Sequence, residues 1–222
     1  MSVAIIILTL NEIDGVKSLL PSIQKEWADE IVIVDGGSTD GTIEECEKMG
    51  FEVVIQKNKG HGGAILTGVN HTKSDQIVIW SPDGNHEPEE IPKLIEKMKE
   101  GFDQVLISRF GKGSINEDAG YVDGFGNKMF AFITNVLFGG LWTDSLNESR
   151  IISRKAMMDL KFDALQMNST QQMSIRGSKL NQRICEIVGN ERTRIGGKRK
   201  MNSVPVGALL SKSIIKEFIF WK

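Results

Sequence analysis

The chain has 222 residues and a formal net charge of −2, with 40% hydrophobic and 25% charged residues. This size and mixture predict one globular domain with an ample core, and the near-neutral charge argues against a nucleic-acid-binding protein. The two cysteines, Cys46 and Cys185, lie far apart in the sequence, which excludes a disulfide framework. No apolar run approaches the roughly 18 residues of a membrane span. We therefore expect a cytoplasmic protein.

Apolar runs and helical patterns alternate regularly from residue 3 to about residue 108. The runs are rich in β-branched residues and predict five strands, at 3–10, 31–34, 51–55, 77–80 and 105–108. Helical patterns fill the intervals between them. This alternation predicts right-handed βαβ units and therefore an α/β fold with a mostly parallel central sheet flanked by helices.

Polar, glycine-rich loops follow three of these strands. They contain Asp35, the glycines of residues 60–63, and Asp83. We expect all three loops on the same edge of the sheet, where open α/β folds bind ligands and where glycine-rich backbone and helix N-termini accept phosphates. The sequence thus predicts a nucleotide site, but the motifs of a Rossmann dinucleotide site and of a P-loop are both absent.

The loop after the fourth predicted strand carries Asp83, Asn85 and His86 around a turn that Pro82 and Gly84 impose. A carboxylate and an amide oxygen one residue apart suit Mg²⁺ or Mn²⁺ shared with a phosphate. A turn that simply precedes the next helix explains the same residues, so this loop alone leaves both interpretations open.

The second half of the chain is less regular. It predicts a loop over 111–123, helices within 126–140 and over 170–180, short strands at 151–152 and 183–188, a basic loop over 191–201 and a terminal helix over 207–221. No repeat or linker divides the chain.

Six groups of residues stand in order along nearly the whole chain. Four are the segments 7–12 (Ile-Leu-Thr-Leu-Asn-Glu), 34–42 (Val-Asp-Gly-Gly-Ser-Thr-Asp-Gly-Thr), 60–64 (Gly-His-Gly-Gly-Ala) and 83–89 (Asp-Gly-Asn-His-Glu-Pro-Glu); two are the pairs Asp144 with Arg150 and Arg194 with Lys200. Together they resemble family-two glycosyltransferases of the GT-A fold, and within that family the dolichyl- and polyprenyl-phosphate sugar synthases. The segment 34–42 is the most specific of the six.

The resemblance implies an inverting glycosyltransferase that moves a sugar from a GDP- or UDP-linked donor to polyprenyl phosphate. By the same resemblance, Thr9, Glu12 and Asp35 would surround the base and ribose, Gly60 and Gly62 would pass close to the nucleotide, and Asp83 and Asn85 would bind Mg²⁺ or Mn²⁺. Asp144 would position Arg150, which would hold phosphate, and Arg194 and Lys200 would meet the donor diphosphate or an anionic acceptor.

The chain also departs from the family pattern. Ser81 stands where the family usually has the first Asp of its metal turn, Glu148 replaces a Gly, and Arg199 replaces a Ser. Gln171 and Gln172 occupy a segment where many relatives carry a carboxylate. One fewer carboxylate should weaken metal binding, so a different sugar, reduced activity or a non-catalytic nucleotide-sugar-binding protein stays open.

The acceptor stays open as well. A lipid phosphate is already an anionic nucleophile, whereas a saccharide hydroxyl of a cell-surface glycan would need a general base, for which Asp123, Asp144 and Glu148 are candidates. We expect one domain over 1–222, with a nucleotide-sugar half (1–110), an acceptor and diphosphate half (111–206) and a terminal helix (207–222).

That helix has an apolar stripe interrupted by lysines. It could lie at the inner face of the cytoplasmic membrane, pack on the domain or join a homo-oligomer, and a lipid acceptor favours the membrane.

Overall fold

A computed structural model describes residues 1–118, 120–196 and 202–221, without the side chains of residues 121 and 122. Within these residues, seven strands form one sheet in the order β3-β2-β1-β4-β6-β5-β7. The strands are β1 (Val3–Thr9), β2 (Glu30–Asp35), β3 (Glu52–Ile55), β4 (Gln76–Trp80), β5 (Gln104–Ser108), β6 (Arg150–Ser153) and β7 (Ile184–Val188).

The centre of the sheet is parallel, as the sequence predicts. β1 pairs in parallel with β2 on one side and with β4 on the other, and all seven residues of β1 are buried. Parallel strands covered on both faces carry continuous apolar runs rather than alternating ones. This explains why Val3–Thr9 shows no polar residue before Thr9, at its last position.

The sheet departs from a wholly parallel arrangement at β6, which lies antiparallel between β4 and β5. Arg150 at the start of β6 faces Ile79 near the end of β4 and Leu106 in β5. Because β6 runs in the opposite direction, the segment that precedes it arrives at the edge where β4 and β5 end. Residues 144–149 are thereby brought to the predicted ligand edge.

Helices cover both faces of the sheet. They are α1 (Ile13–Leu19), α2 (Thr42–Lys48), α3 (His61–His71), α4 (Glu90–Met98), α5 (Tyr121–Phe138), α6 (Arg154–Asp159), α7 (Ser169–Lys179) and α8 (Ser203–Ile219). One apolar core joins α1, α2 and α4 to Ile5 and Ile7 of β1, and another joins α3, α6 and α7 to Ile6 and Leu8. The alternating side chains of β1 therefore connect the two layers.

Three element boundaries differ from the sequence prediction. The helical pattern over 16–27 resolves into α1 and two short 3₁₀ turns, the first of which carries Pro21 near its start. α5 begins at Tyr121, five residues before the predicted 126, and α8 begins at Ser203 with Pro205 in its first turn, where a missing N–H is tolerated.

α8 packs on α5 and α7 around a small core formed by Phe130, Ile175, Leu210 and Ile214. A buried ion pair completes the contact, because Arg176 donates to both carboxylate oxygens of Glu217 at 2.8 and 2.9 Å. Among the described helices, none has both the length and the apolar character needed to cross a membrane.

Candidate active site

A cleft of about 420 Å³ opens at the edge where β1, β4 and β5 end. Its walls include the loop after β1, the start of α3, the turn after β4, the end of β5, the segment before β6 and the loop after β7, and α5 and α8 border it as well. Six of the residues assigned by resemblance line it, namely Thr9, Glu12, Gly60, Asp83, Asn85 and Arg194. The tertiary structure therefore brings together most of the predicted donor site.

The turn that carries Asp83 is held against the loop after β7. Gly84 has φ +95°, and a Cβ there would lie 2.6 Å from the backbone nitrogen of Ile195, so glycine is needed for both conformation and space. Ile195 N–H donates to the carbonyl oxygen of Asp83 at 2.9 Å. The turn and the loop consequently form one wall of the cleft.

Arg194 bridges two carboxylates across this wall. Its Nη2 donates to Asp83 Oδ2 at 2.9 Å, and its Nη1 donates to Glu12 Oε1 at 2.9 Å. Burial raises the pKa of Asp83, and the charge of Glu148 raises it further, while Arg194 opposes the rise. Arg194 thus offsets the negative charge of Asp83 and Glu12 in this wall of the cleft.

Asn85 and His86 chiefly hold the surroundings of the cleft. Asn85 Nδ2 donates to the carbonyl oxygen of Arg192 at 2.8 Å, which ties the turn to the loop after β7. His86 lies between Glu90 Oε2, at 2.8 Å, and Asn147 Oδ1, at 3.0 Å. Burial lowers the pKa of His86, but the hydrogen bond and charge of Glu90 outweigh burial and raise it, so both ring nitrogens are suited to donate.

Glu148 lies in the cleft with two partners. Ser81 Oγ donates to Glu148 Oε1, and His61 Nε2 contacts Glu148 Oε2, while His61 Nδ1 lies 2.6 Å from Ser169 Oγ. Burial would raise the pKa of Glu148, but the charge and hydrogen bond of His61 and the hydrogen bond from Ser81 lower it. The carboxylate is therefore held ionised inside the cleft.

Asp35, assigned to the base and ribose, is fully buried and lies behind the cleft wall. Its Oδ2 accepts from the hydroxyls of Thr9 (2.7 Å) and Ser38 (2.6 Å), and its Oδ1 accepts from the backbone N–H groups of Gly37 (2.8 Å) and Ser38 (2.6 Å). The carboxylate thus holds the loop after β2 and orients Thr9, which does line the cleft.

The glycines at the start of α3 lie close to backbone atoms of other segments of the chain. Gly60 lines the cleft, but a Cβ at Gly62 would lie 1.8 Å from the carbonyl oxygen of Ala164, and one at Gly63 would lie 2.0 Å from that of Asn58. Close approach to neighbouring backbone therefore explains Gly62 without a nucleotide.

The structure does not bring Asp144 and Arg150 together as the resemblance implies. Asp144 is fully buried and pairs with Arg109, whose Nε donates to Asp144 Oδ2 at 2.7 Å. Arg150 is also fully buried, donates to the carbonyl oxygen of Asn147 at 2.5 Å, and lies outside the cleft lining. Its side chain is enclosed by the protein, and its Nε has no hydrogen-bond partner among the described residues.

The family resemblance also singled out Arg199, Lys200, Gln171 and Gln172. Lys200 and Arg199 lie outside the described residues. Gln172 donates to Glu217 Oε1 at 2.8 Å and helps to hold α8, whereas the buried amide of Gln171 has no hydrogen-bond partner within the described part of the chain. Neither glutamine lines the cleft.

Two of the cleft residues that the sequence analysis did not single out form an ion pair with each other. Arg109 and Glu191 both line the cleft and pair with each other, Nη1 to Oε1 at 2.8 Å. Arg109 directly follows β5, so the rule that ligands bind beyond the carboxyl ends of strands could have identified it. The sequence analysis includes His61 only within the segment 60–64, and it names Glu148 as a departure from the family pattern and a candidate general base.

Comparisons with known proteins bear on the family and the fold. The model of the family described as glycosyl transferase family 2 matches residues 4–161. Glycosyltransferase AglJ of Haloferax volcanii is 27% identical over 80% of this chain, which spans 59% of that relative's length. A dolichyl-phosphate hexose transferase of the same organism is 28% identical over 96% of this chain and 92% of its own.

Among solved structures, glucosyl-3-phosphoglycerate synthase from Mycobacterium tuberculosis, in complex with Mn²⁺, UDP-glucose and phosphoglyceric acid, shares the fold. It superposes with a TM-score of 0.73 at 21% identity, over 98% of this chain and 78% of that one. The predicted fold is thereby confirmed.

Proposed function

The chain belongs to glycosyl transferase family 2, and from that premise we propose that it transfers a sugar from a nucleotide-sugar donor to polyprenyl phosphate with inversion. One observation carries the proposal: Asp83 and Arg194, which are 111 residues apart, meet at 2.9 Å in a cleft beyond the ends of the parallel strands. A carboxylate and a guanidinium at this edge suit the diphosphate of such a donor and its counter-ion.

On the donor side, Thr9 and Glu12 would contact the nucleoside and Arg194 the diphosphate. Asp83 would hold Mg²⁺ or Mn²⁺, together with the side-chain oxygen of Asn85, which accepts no hydrogen bond from the described residues. These hard oxygen donors fit such an ion, which when bound would neutralise charge on the diphosphate. Arg194 would exchange its carboxylate partners for phosphate oxygens and stabilise the leaving nucleoside diphosphate as its negative charge grows.

On the acceptor side, an ionised lipid phosphate needs no general base. Its oxygen would form the new bond to the anomeric carbon as the bond to the nucleoside diphosphate breaks, giving a polyprenyl phosphate sugar and free nucleoside diphosphate. The relative named for dolichyl phosphate supports this acceptor class. The inverted configuration follows from a single displacement at that carbon.

The apolar end of the cleft also supports a lipid acceptor. Leu146, Val206 and Leu210 line both the cleft and a shallower groove between α5 and α8. Large apolar side chains are exposed on these two helices, namely Phe125, Phe132, Val136, Leu137, Ile215, Phe218 and Ile219. Clustered exposed apolar residues of this kind mark binding surfaces, so we propose peripheral contact with the membrane that carries the acceptor.

A saccharide acceptor is the second candidate, and the position of Glu148 favours it. A hydroxyl acceptor needs a general base, and Glu148 is a carboxylate that lies in the cleft, although its lowered pKa makes it a weak base. Asp144 is unsuited to that role, because it is fully buried and paired with Arg109.

One assay distinguishes these candidates from a non-catalytic binding protein. Purified protein is incubated with Mn²⁺ and labelled UDP- and GDP-linked hexoses, with a short-chain polyprenyl phosphate, with saccharides or with neither. Label in the organic phase would support the lipid acceptor, and label in an oligosaccharide would support the saccharide. Nucleotide binding without release of nucleoside diphosphate under any condition would contradict both. The division into donor and acceptor halves and a homo-oligomeric state stay predictions.

A further inference from the structure

Two departures from the family pattern touch each other. Ser81 lacks the carboxylate expected at the turn after β4, and Glu148, 67 residues later, carries one where a glycine is expected. In the structure Ser81 Oγ donates a hydrogen bond to Glu148 Oε1. The carboxylate absent from position 81 is therefore present beside it, on the segment that precedes β6.

Three contacts of the neighbouring residue Asn147 hold the backbone at Glu148 in place. Asn147 Nδ2 donates to the carbonyl oxygen of Ile107 at 2.8 Å, and Arg150 Nη2 donates to the carbonyl oxygen of Asn147 at 2.5 Å. His86 Nε2 lies 3.0 Å from Asn147 Oδ1. Glu148 is thus carried on an immobilised segment, and the apparently misplaced Arg150 contributes by holding it.

The side chain of Glu148 is oriented as well. Ser81 meets one carboxylate oxygen and His61 the other, and Ser169 lies 2.6 Å from the second ring nitrogen of His61. An ionised carboxylate offers about four acceptor positions, and described residues occupy two of them. The oriented group therefore retains capacity for a ligand in the cleft.

We propose that Glu148 takes the place of the missing carboxylate at position 81, so that Asp83 and Glu148 together hold the divalent ion at the donor diphosphate. This inference rests on the proposed function. Mg²⁺ and Mn²⁺ sites of this kind use one or two carboxylates and complete their shell with phosphate oxygens and water. Among the described residues, no three His, Cys, Asp or Glu side chains form a metal site, which agrees with two protein carboxylates and a shared substrate.

The test measures Mn²⁺ affinity by electron paramagnetic resonance, with Mn²⁺ alone and with UDP or GDP. Glu148→Gln keeps the shape of the side chain and removes its charge. The double variant Ser81→Asp with Glu148→Gly moves the carboxylate to the turn. Glu52→Gln serves as the matched control, because Glu52 also pairs with a histidine, His71, at 2.8 Å on the outer strand β3.

We expect Glu148→Gln to weaken Mn²⁺ binding about tenfold or more, the double variant to recover most of the loss, and Glu52→Gln to bind as wild type does. Unchanged affinity in Glu148→Gln would overturn the inference, and so would a double variant, folded by circular dichroism, that recovers nothing. Wild-type protein that binds nucleotide equally with and without Mn²⁺ would overturn it while leaving sugar transfer intact. Wild-type protein that binds no nucleotide would remove the proposed function too.

Discussion

Arg109 donates three hydrogen bonds to the carboxylate of Asp144. Its Nε and Nη2 donate to the two carboxylate oxygens at 2.7 and 3.0 Å, and its backbone N–H donates to Oδ2 at 3.2 Å. The Nη1 atom of Arg109 also donates to Glu191 Oε1 at 2.8 Å. The pair joins the end of β5 to the segment before β6 and to the loop after β7, so three walls of the cleft depend on it.

This pair predicts a dependence of stability on pH. Burial would raise the pKa of Asp144, but the charge and hydrogen bonds of Arg109 outweigh burial and lower it below 3.8. The unfolded chain therefore binds the proton more readily than the folded one, and the stabilisation is present above about pH 4 and lost as pH falls through the folded-state pKa.

Asp144→Asn should accordingly lower the free energy of unfolding by about 1–3 kcal/mol at pH 7, because Arg109, whose side chain is 15% exposed, loses one of its two carboxylate partners and keeps Glu191. Urea unfolding from pH 7 to pH 3 should show the difference from wild type shrinking as the solution becomes more acidic. Asp159→Asn, which breaks an exposed pair with Lys155, should cost below about 1 kcal/mol. A pH-independent loss at Asp144 would contradict the ionic explanation.

Arg194→Gln should reduce turnover about a hundredfold and change the donor KM less, because its contact with the leaving diphosphate strengthens in the transition state. Steady-state kinetics over a range of donor concentrations measure both constants. Arg192→Gln is the control from the same loop, since Arg192 pairs with the partly exposed Glu87 and Glu117. Equal defects in the two variants would show that the loop, and not the Arg194 side chain, is responsible.

Asp35→Ala should lower both stability and nucleotide affinity, because it removes the acceptor for four hydrogen bonds at a fully buried position. Among these donors only Thr9 is itself buried, and an unmet buried donor costs about 1–3 kcal/mol, so we expect a loss of about 1–3 kcal/mol. Asp35→Asn retains one acceptor oxygen and should lose less of both. Calorimetry with UDP and GDP provides the affinities, and a stable Asp35→Asn protein with altered base preference would instead indicate direct contact with the base.

The apolar surface of α5 and α8 should bind lipid. Deleting α8 is a poor test, because the buried pair of Arg176 and Glu217 would be broken. Three serine substitutions keep that pair intact: Phe132→Ser, Val136→Ser and Ile215→Ser, at side chains that are 67%, 65% and 58% exposed. Losing this apolar area should reduce co-sedimentation with anionic vesicles about tenfold or more.

The matched control carries serine at three comparably exposed apolar positions elsewhere, Ile55, Met158 and Val188. It should sediment with vesicles as wild type does. If the two triple variants and the wild type sediment alike, membrane contact through α5 and α8 is wrong.

Local sequence was sufficient for the order and type of the elements. The β-branched runs of β1, β2 and β4 and the helical spacing between them reflect burial on both faces, which is a short-range signal in the chain. The rule that ligands bind beyond the carboxyl ends of parallel strands placed Asp83 at the ligand edge, whereas Thr9 was assigned by the family resemblance. Asp35 was also located correctly at the end of β2, although its four hydrogen bonds could not be read from its position.

The partnerships across the cleft depended on tertiary structure. Whether β6 would enter antiparallel between β4 and β5 is not encoded in the four residues Arg150–Ser153, yet that insertion buries Arg150 and delivers Glu148 to Ser81. Sequence alone determined which parallel strands would present their ends to a ligand. Which side chains then meet, Asp144 with Arg109 and Glu148 with His61, was decided by packing, because contacts between distant segments depend on strand order and direction, not on local periodicity.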